Sequence, residues 1–268
     1  MQRTITTVAP TVLKLSGICV PDDIDSADDE LLALKAKKGI TGDIDRVVIY
    51  DPDAVGLWLY EKYKDVFKEA ESASDAAIAR TSVMPSVTPV CFASMYSGVM
   101  PPVHGIMKYE KPVLKVDTLF DWYIKAGKKC AIVSTAGDSI SKIFLERNMD
   151  YFIYRTIPQV NRKALKLIEE DKYDLIVIYN GNYDSTMHAK GPEDKKSLRA
   201  LEKNISFYAK LVRQIKACSA GHNVFYGFCP DHGCHLIDGG RGSHGLDMPE
   251  DMNVIHFYGL ENCCLRKV

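Results

Sequence analysis

Short apolar runs alternate with longer amphipathic stretches along the chain. The runs are RVVIY (46–50), CAIVST (130–135), YDLIVIY (173–179), NVFYGF (223–228) and NVIHFY (253–258). They are rich in β-branched and aromatic residues and are bounded by polar residues, glycine or proline, which predicts buried strands. Between them VGLWLYEKYKDVFKEA, DTLFDWYIKAGKK, DSISKIFLERN, VNRKALKLIEED and KKSLRALEKNISFYAKLVRQIKA carry helical patterns. Strand–helix alternation predicts an α/β fold of three layers, α/β/α, around a mainly parallel central sheet. The pattern contains no repeat, low-complexity tract or long linker, so residues 1–268 are expected to form one domain.

Sites in such sheets lie beyond the carboxyl ends of the strands. After RVVIY come Asp51-Pro52-Asp53-Ala54-Val55-Gly56. After YDLIVIY comes Asn180-Gly181-Asn182-Tyr183-Asp184-Ser185-Thr186-Met187-His188. After NVFYGF comes Cys229-Pro230-Asp231-His232-Gly233, and past His235 lies Gly242-Ser243-His244-Gly245. Carboxylates and imidazoles thus gather at one rim. Three of each could hold two cations, zinc by preference, with manganese or iron also suited to oxygen and nitrogen donors. In the segment from Met84 to Gly98, Thr88-Pro89 reads as an N-cap followed by the first helical residue, and Gly98 closes the helix. The Thr88 hydroxyl would then sit at a positive helix terminus, where an anion is welcome. Beside a cation it is an activated nucleophile. The plainer alternative is a capping threonine.

The composition narrows the function classes. Of the 268 residues 46% are hydrophobic and 26% charged, and 34 Lys and Arg face 35 Asp and Glu. A net charge of -1 offers no general attraction to nucleic acid or an anionic membrane, so a small soluble substrate is the expected partner. No stretch approaches the roughly 20 apolar residues of a membrane span. The segment TVAPTVLKLSGICV is broken by Pro10, Lys14 and Gly17 and lacks the core of a secretory signal. The eight cysteines form no Cys-x-x-Cys pair. Several, such as Cys130 and Cys229, sit in apolar runs as small core residues. Together these features predict a cytoplasmic protein with reduced thiols. A homo-oligomer is compatible with all of this.

These pieces together resemble the alkaline phosphatase superfamily, and within it the nucleotide pyrophosphatase/phosphodiesterase branch. The matching text is TPVCFASMYSGVMPPVHGI, DSTMHAKGP, PDHG and GSHGLD, in the family's order, from about residue 45 to 258. The resemblance implies an alkaline phosphatase-like fold. It implies Asp184, His188 and His244 as ligands of one metal, and Asp53, Asp231 and His232 as ligands of the other. Asp51 is the alternative to Asp53, and His235 the alternative to His244. It implies Thr88 as the nucleophile of a phosphoric ester hydrolase, a phosphodiesterase, phosphatase or nucleotide pyrophosphatase, working through a phospho-threonine. The chain departs from the family in two places. Pro89-Val90-Cys91 follows the nucleophile where relatives carry an aromatic, Pro and Asn. After His104-Gly105-Ile106, where relatives hold a phosphoryl oxygen with Asn, Lys108 and Tyr109 are the candidate donors. Asp247 is a candidate to orient a histidine. The segments 57–84 and 233–243 are expected to shape the pocket. A sulfatase, a phosphomutase or a non-catalytic metal-binding relative are the alternatives. Ser86-Val87-Thr88-Pro89-Val90 lacks the Arg of the sulfatase motif, and a mutase would need a second domain.

Overall fold

The computed structural model describes residues 3–218 and 221–262, so Cys263 and Cys264 lie outside the described residues. Nine strands are present among them: β1 (Arg46–Pro52), β2 (Ala76–Thr81), β3 (Cys130–Thr135), β4 (Asp150–Tyr154), β5 (Leu175–Asn180), β6 (Val224–Phe228), β7 (His235–Ile237), β8 (Arg241–Ser243) and β9 (Asn253–Glu261). Seven form one sheet in the order β2-β9-β6-β1-β5-β3-β4, and β7 and β8 form a separate hairpin. Every pairing from β6 to β4 is parallel; β9 runs antiparallel to both β6 and β2.

The strand period of two sorts the side chains of β1 into two layers. Val47 and Ile49 enter a core shared with the helices Val8–Leu15, Thr88–Ser97 and Leu119–Lys125. Val48 and Tyr50 enter a second core beneath the helices Lys64–Ala73, Ile157–Glu170 and Lys195–Cys218. Both faces are covered, which is why the run reads as continuously apolar. The three-layer α/β/α expectation holds.

The five runs all form strands, and the structure adds four more. β2 is rich in alanine and β4 has five partly exposed residues at the sheet edge. β2 lacks an apolar run and depends on its neighbour for pairing, whereas β4 carries the short aromatic run Tyr151-Phe152-Ile153-Tyr154. The pattern over 55–70 divides at Tyr63 into the helices Leu57–Lys62 and Lys64–Ala73, and the Tyr63 hydroxyl donates to Glu193 Oε1 at 2.5 Å. In DSISKIFLERN only Ile140–Ile143 is helical. Beyond it the backbone turns through Glu146 (φ 66), and Arg147 donates to the Leu114 and Val116 carbonyls, so tertiary bonds displace helical ones. Among the described residues no helix is long and apolar enough to cross a membrane.

Register sets the rim. Asp51 pairs with Tyr179 and Pro52 with Asn180, while Tyr50 pairs with Phe228. The chain therefore leaves β1, β5 and β6 at one level, and the segments carrying Asp53, Asp184 and Asp231 emerge side by side. The neighbouring β2–β9 flank is held by Arg80, 2% exposed, whose Nη2 donates to Asp28 Oδ2 at 2.8 Å and whose Nε donates to the Tyr258 hydroxyl at 3.1 Å. Asp28 also caps the helix Asp29–Lys37 through the Glu30 amide. Arg80→Met removes the buried partner of Asp28, leaving only Arg3 Nε at 3.9 Å and the Glu30 amide, and should destabilise the fold by about 3 kcal/mol in equilibrium urea unfolding.

Candidate active site

Asp53 is the first residue past β1, and its amide donates to the Asn180 carbonyl at 3.1 Å. The next residue, Ala54, is fully buried with φ 65, a conformation that a non-glycine residue adopts only under local strain. This turn swings the Ala54 amide towards Asp231 Oδ1, 3.4 Å away. Asp184 and His188 lie one turn apart on the helix Asn182–Lys190, so both project from the same face. Asp231 and His232 follow β6. The Asp231 carbonyl accepts from Ser82 Oγ at 2.6 Å. His244 follows the β7–β8 hairpin.

Two groups of donor atoms result. Asp53, Asp231 and His232 form one, fully enclosed; Asp184, His188 and His244 form the other, partly open to solvent. Within each, one donor atom per residue lies within 4.8 Å of the others. The His232 and His244 rings stack across the two groups with centroids 4.0 Å apart. Asp51 instead accepts from the Tyr96 hydroxyl at 2.6 Å, and His235 Nδ1 lies 2.7 Å from Asp251 Oδ1, so neither joins a group. Asp247 is exposed; the histidines are oriented by backbone carbonyls. His188 Nδ1 donates to Gly242 (3.0 Å), His232 Nδ1 to Gly233 (2.9 Å) and His244 Nδ1 to Ser86 (2.9 Å). A carbonyl can only accept, so each ring turns Nε2 inward, with a lone pair there when the ring is neutral.

The carboxylates complete the fit for cations. Asp53 Oδ1, Asp184 Oδ1 and Asp231 Oδ2 are buried and accept no hydrogen bond. Each faces imidazole Nε2 atoms: Asp53 and Asp231 stand 3.4 and 3.3 Å from His232, and Asp184 stands 3.2 and 3.5 Å from His188 and His244. Donors of a tetrahedral zinc with bonds of about 2.0–2.1 Å stand roughly 3.3 Å apart, so these edges suit such an ion. Burial, reinforced by the charge of Asp184, pushes the Asp53 carboxyl well above its usual range; burial and then Asp53 do the same to Asp231. His188, 3.2 Å from Asp184, is pushed up to about 8. The cluster demands positive charge from whatever it binds.

Thr88 is the first residue of its helix, with Val87 as the N-cap. The expected N-cap position is therefore one residue late. Its hydroxyl caps nothing; it lies 3.3 Å from His232 Nε2 and 3.5 Å from Asp53 Oδ2. Gly98, with φ 72, closes the helix as its sequence predicts. The turn of Thr88 away from its own backbone leaves the hydroxyl available to a ligand.

No family model and no curated protein matches the chain. Solved structures do. Human ectonucleotide pyrophosphatase/phosphodiesterase 5 superposes with a TM-score of 0.63 at 12% identity, over 80% of this chain and 87% of that one. The murine protein of the same name gives 0.58 at 14% identity, over 72% of this chain and 58% of that one. A phosphonoacetate hydrolase from Sinorhizobium meliloti 1021, in complex with phosphonoformate, gives 0.52 at 18% identity, over 70% and 56%. The chain shares their fold, an alkaline phosphatase-like α/β/α sandwich. It spans little more than half the length of the murine and S. meliloti chains.

In this fold the site opens into a cavity of about 560 Å³ over the ends of β1, β5, β3 and β4. Thr88, Asp53 and Asp184 line it, as does Tyr109. Lys108 does not; it is exposed and paired with Glu110 at 3.5 Å. Sequence reasoning missed Tyr179, whose hydroxyl donates to Asp53 Oδ2, and the wall residues Lys111, Asp138 and Arg155. Tyr179 ends the run YDLIVIY, so the strand-end rule could have found it; Arg155 follows the unrecognised β4. Of the two expected pocket-shaping segments, neither 57–84 nor 233–243 contributes to this wall, because the cavity extends towards β3 and β4 instead.

The hairpin must approach the helix Asn182–Lys190 closely for Gly242 to reach His188. A Cβ on Gly242 would lie 2.8 Å from the Met187 carbonyl oxygen and 2.4 Å from its Sδ. Gly242→Ala should lower stability by about 1–3 kcal/mol, read from the denaturation midpoint.

Proposed function

We propose that this protein is a metal-dependent hydrolase of phosphate esters with Thr88 as its nucleophile. The observation that carries this is the set of three buried carboxylate oxygens without donors, facing imidazole lone pairs beside an uncapped hydroxyl. Asp53, Asp231 and His232 hold one divalent cation, and Asp184, His188 and His244 the second, zinc being the ion that best suits this mixture of oxygen and nitrogen donors. The neighbours support the activity class. They are named as a pyrophosphatase/phosphodiesterase and a phosphonoacetate hydrolase, and an inactive Thr-to-Ala form of the murine protein is described in complex with AMP.

When bound, the two cations supply Lewis-acid stabilisation of the attacking and leaving oxygens. Thr88 Oγ1 attacks the phosphorus in line, forming an O–P bond as the P–O bond to the ester oxygen breaks; the Thr88 proton passes to solvent in the open cavity, and solvent protonates the departing oxygen. Water then attacks the same phosphorus from the other side. The Thr88 Oγ1–P bond breaks, Thr88 Oγ1 regains a proton from solvent as the attacking water gives one up, and phosphate leaves from a monoester or a phosphate monoester from a diester. The strand ends hold Asp53 and Asp231 rigid, and the three carbonyls hold the imidazoles, so the ligands need no rearrangement when substrate arrives. Tyr109, at the cavity wall, is placed to donate to a phosphoryl oxygen.

Thr88→Ala should abolish zinc-dependent hydrolysis of a bis-aryl phosphate while leaving the bound metal content unchanged by elemental analysis; retained turnover would reject the nucleophile. Tyr179→Phe removes the donor on Asp53 and should weaken zinc about 10–100-fold in competition with a fluorescent chelator.

A further inference from the structure

The cavity extends well past the proposed reaction centre. Its near wall is made by the ends of β1 and β5, its far wall by the ends of β3 and β4. Three strand spacings of about 4.8 Å separate β1 from β4, so the far wall lies roughly 14 Å from the near one, backbone to backbone. That far wall is cationic. Lys111 Nζ donates to the Gly137 carbonyl at 2.9 Å and sits over the Tyr109 ring, 5.1 Å from its centroid. These contacts fix the ammonium and neutralise none of its charge. Arg155 faces the same space from the end of β4 and makes no ion pair among the described residues. A carboxylate on the same wall does not pair with either of them: Asp138 accepts from the Ser134 hydroxyl, the Thr135 amide and hydroxyl and the Ser141 amide.

Resting on the hydrolase reading, the geometry points to a compact phosphate ester that carries a second anionic group, a carboxylate or a second phosphate, which Lys111 and Arg155 hold while the reacting phosphoryl group lies beside Thr88. Arg155 supplies a planar fork for two anionic oxygens and Lys111 a point charge. Both are specificity-determining residues and neither touches the proposed metal ligands.

The test is binding, measured by isothermal titration calorimetry on the zinc-loaded full chain, with probes that are not ester substrates. Butylphosphonate presents one anion, phosphonobutyrate adds a carboxylate, and propane-bisphosphonate adds a phosphonate. Either doubly anionic probe should bind about tenfold or more tightly than butylphosphonate, and whichever gains more identifies the second group. Arg155→Ala and Lys111→Ala should each erase most of that gain and leave butylphosphonate binding unchanged; Arg155→Lys should restore part of it. Equal affinity for all three probes would overturn the proposal, as would a gain that survives in the double variant. A protein that hydrolyses the bis-aryl phosphate but shows no such gain refutes this inference alone. One that shows the gain but hydrolyses no ester refutes the hydrolase instead.

Discussion

Two carboxylates are buried at the end of one sheet with a third, partly open, beside them; burial raises the proton affinity of Asp53 and Asp231, Asp184 adds to it at Asp53, and Asp53 adds to it at Asp231. Each keeps an oxygen that no donor in the protein satisfies. Buried charge of one sign is tolerated only where an opposite charge or a set of hydrogen bonds offsets it. Here the neighbours are imidazoles whose Nδ1 atoms are already occupied by backbone carbonyls, so in their neutral form they offer lone pairs. Such a cluster has one natural complement, a compact cation with a preference for oxygen and nitrogen, and the rest of the site is arranged around that demand.

The means of arrangement are mostly backbone. Parallel pairing holds β1, β5 and β6 at a common level, and each delivers its acidic residue within a few positions of its last hydrogen bond. Where the chain must turn sharply, after Asp53, it accepts strain at Ala54. Where it must come close, at Gly242, it has no side chain at all. Thr88 belongs to the same economy of means: a hydroxyl at the start of a helix would ordinarily bond its own backbone, yet Val87 takes the cap position and Thr88 faces the cluster.

Much of this is legible in the chain. The central strands announce themselves because they are covered on both faces, and the spacing of Asp184 and His188 suits one face of a helix. The acidic and imidazole residues follow the runs that become β1, β5 and β6. What the text conceals is whatever depends on partners elsewhere. β2 pairs at a sheet position its own residues hardly specify. Carbonyl oxygens orient the histidines, and a carbonyl has no letter. The far wall of the cavity follows from β4, so missing that strand meant missing Arg155. Lys108 and Tyr109 are adjacent in sequence, and only the path of the loop distinguishes the one that lines the cavity from the one that turns to Glu110.

The antiparallel insertion of β9 between β6 and β2 bears on how the molecule comes into being. β1 emerges early during synthesis, yet Val47 must wait for Leu175 on one side and Phe225 on the other, and β2 must wait for β9. The middle of the sheet is thus closed by some of its latest-made segments, a topology of long-range contacts that slows folding and leaves apolar strand edges uncovered meanwhile. Nascent chains stalled before residue 224 would carry Asp53, Thr88 and Asp184 without Asp231, His232 or His244. On the ribosome, then, half of the constellation stands exposed to water and to chaperones before the other half exists.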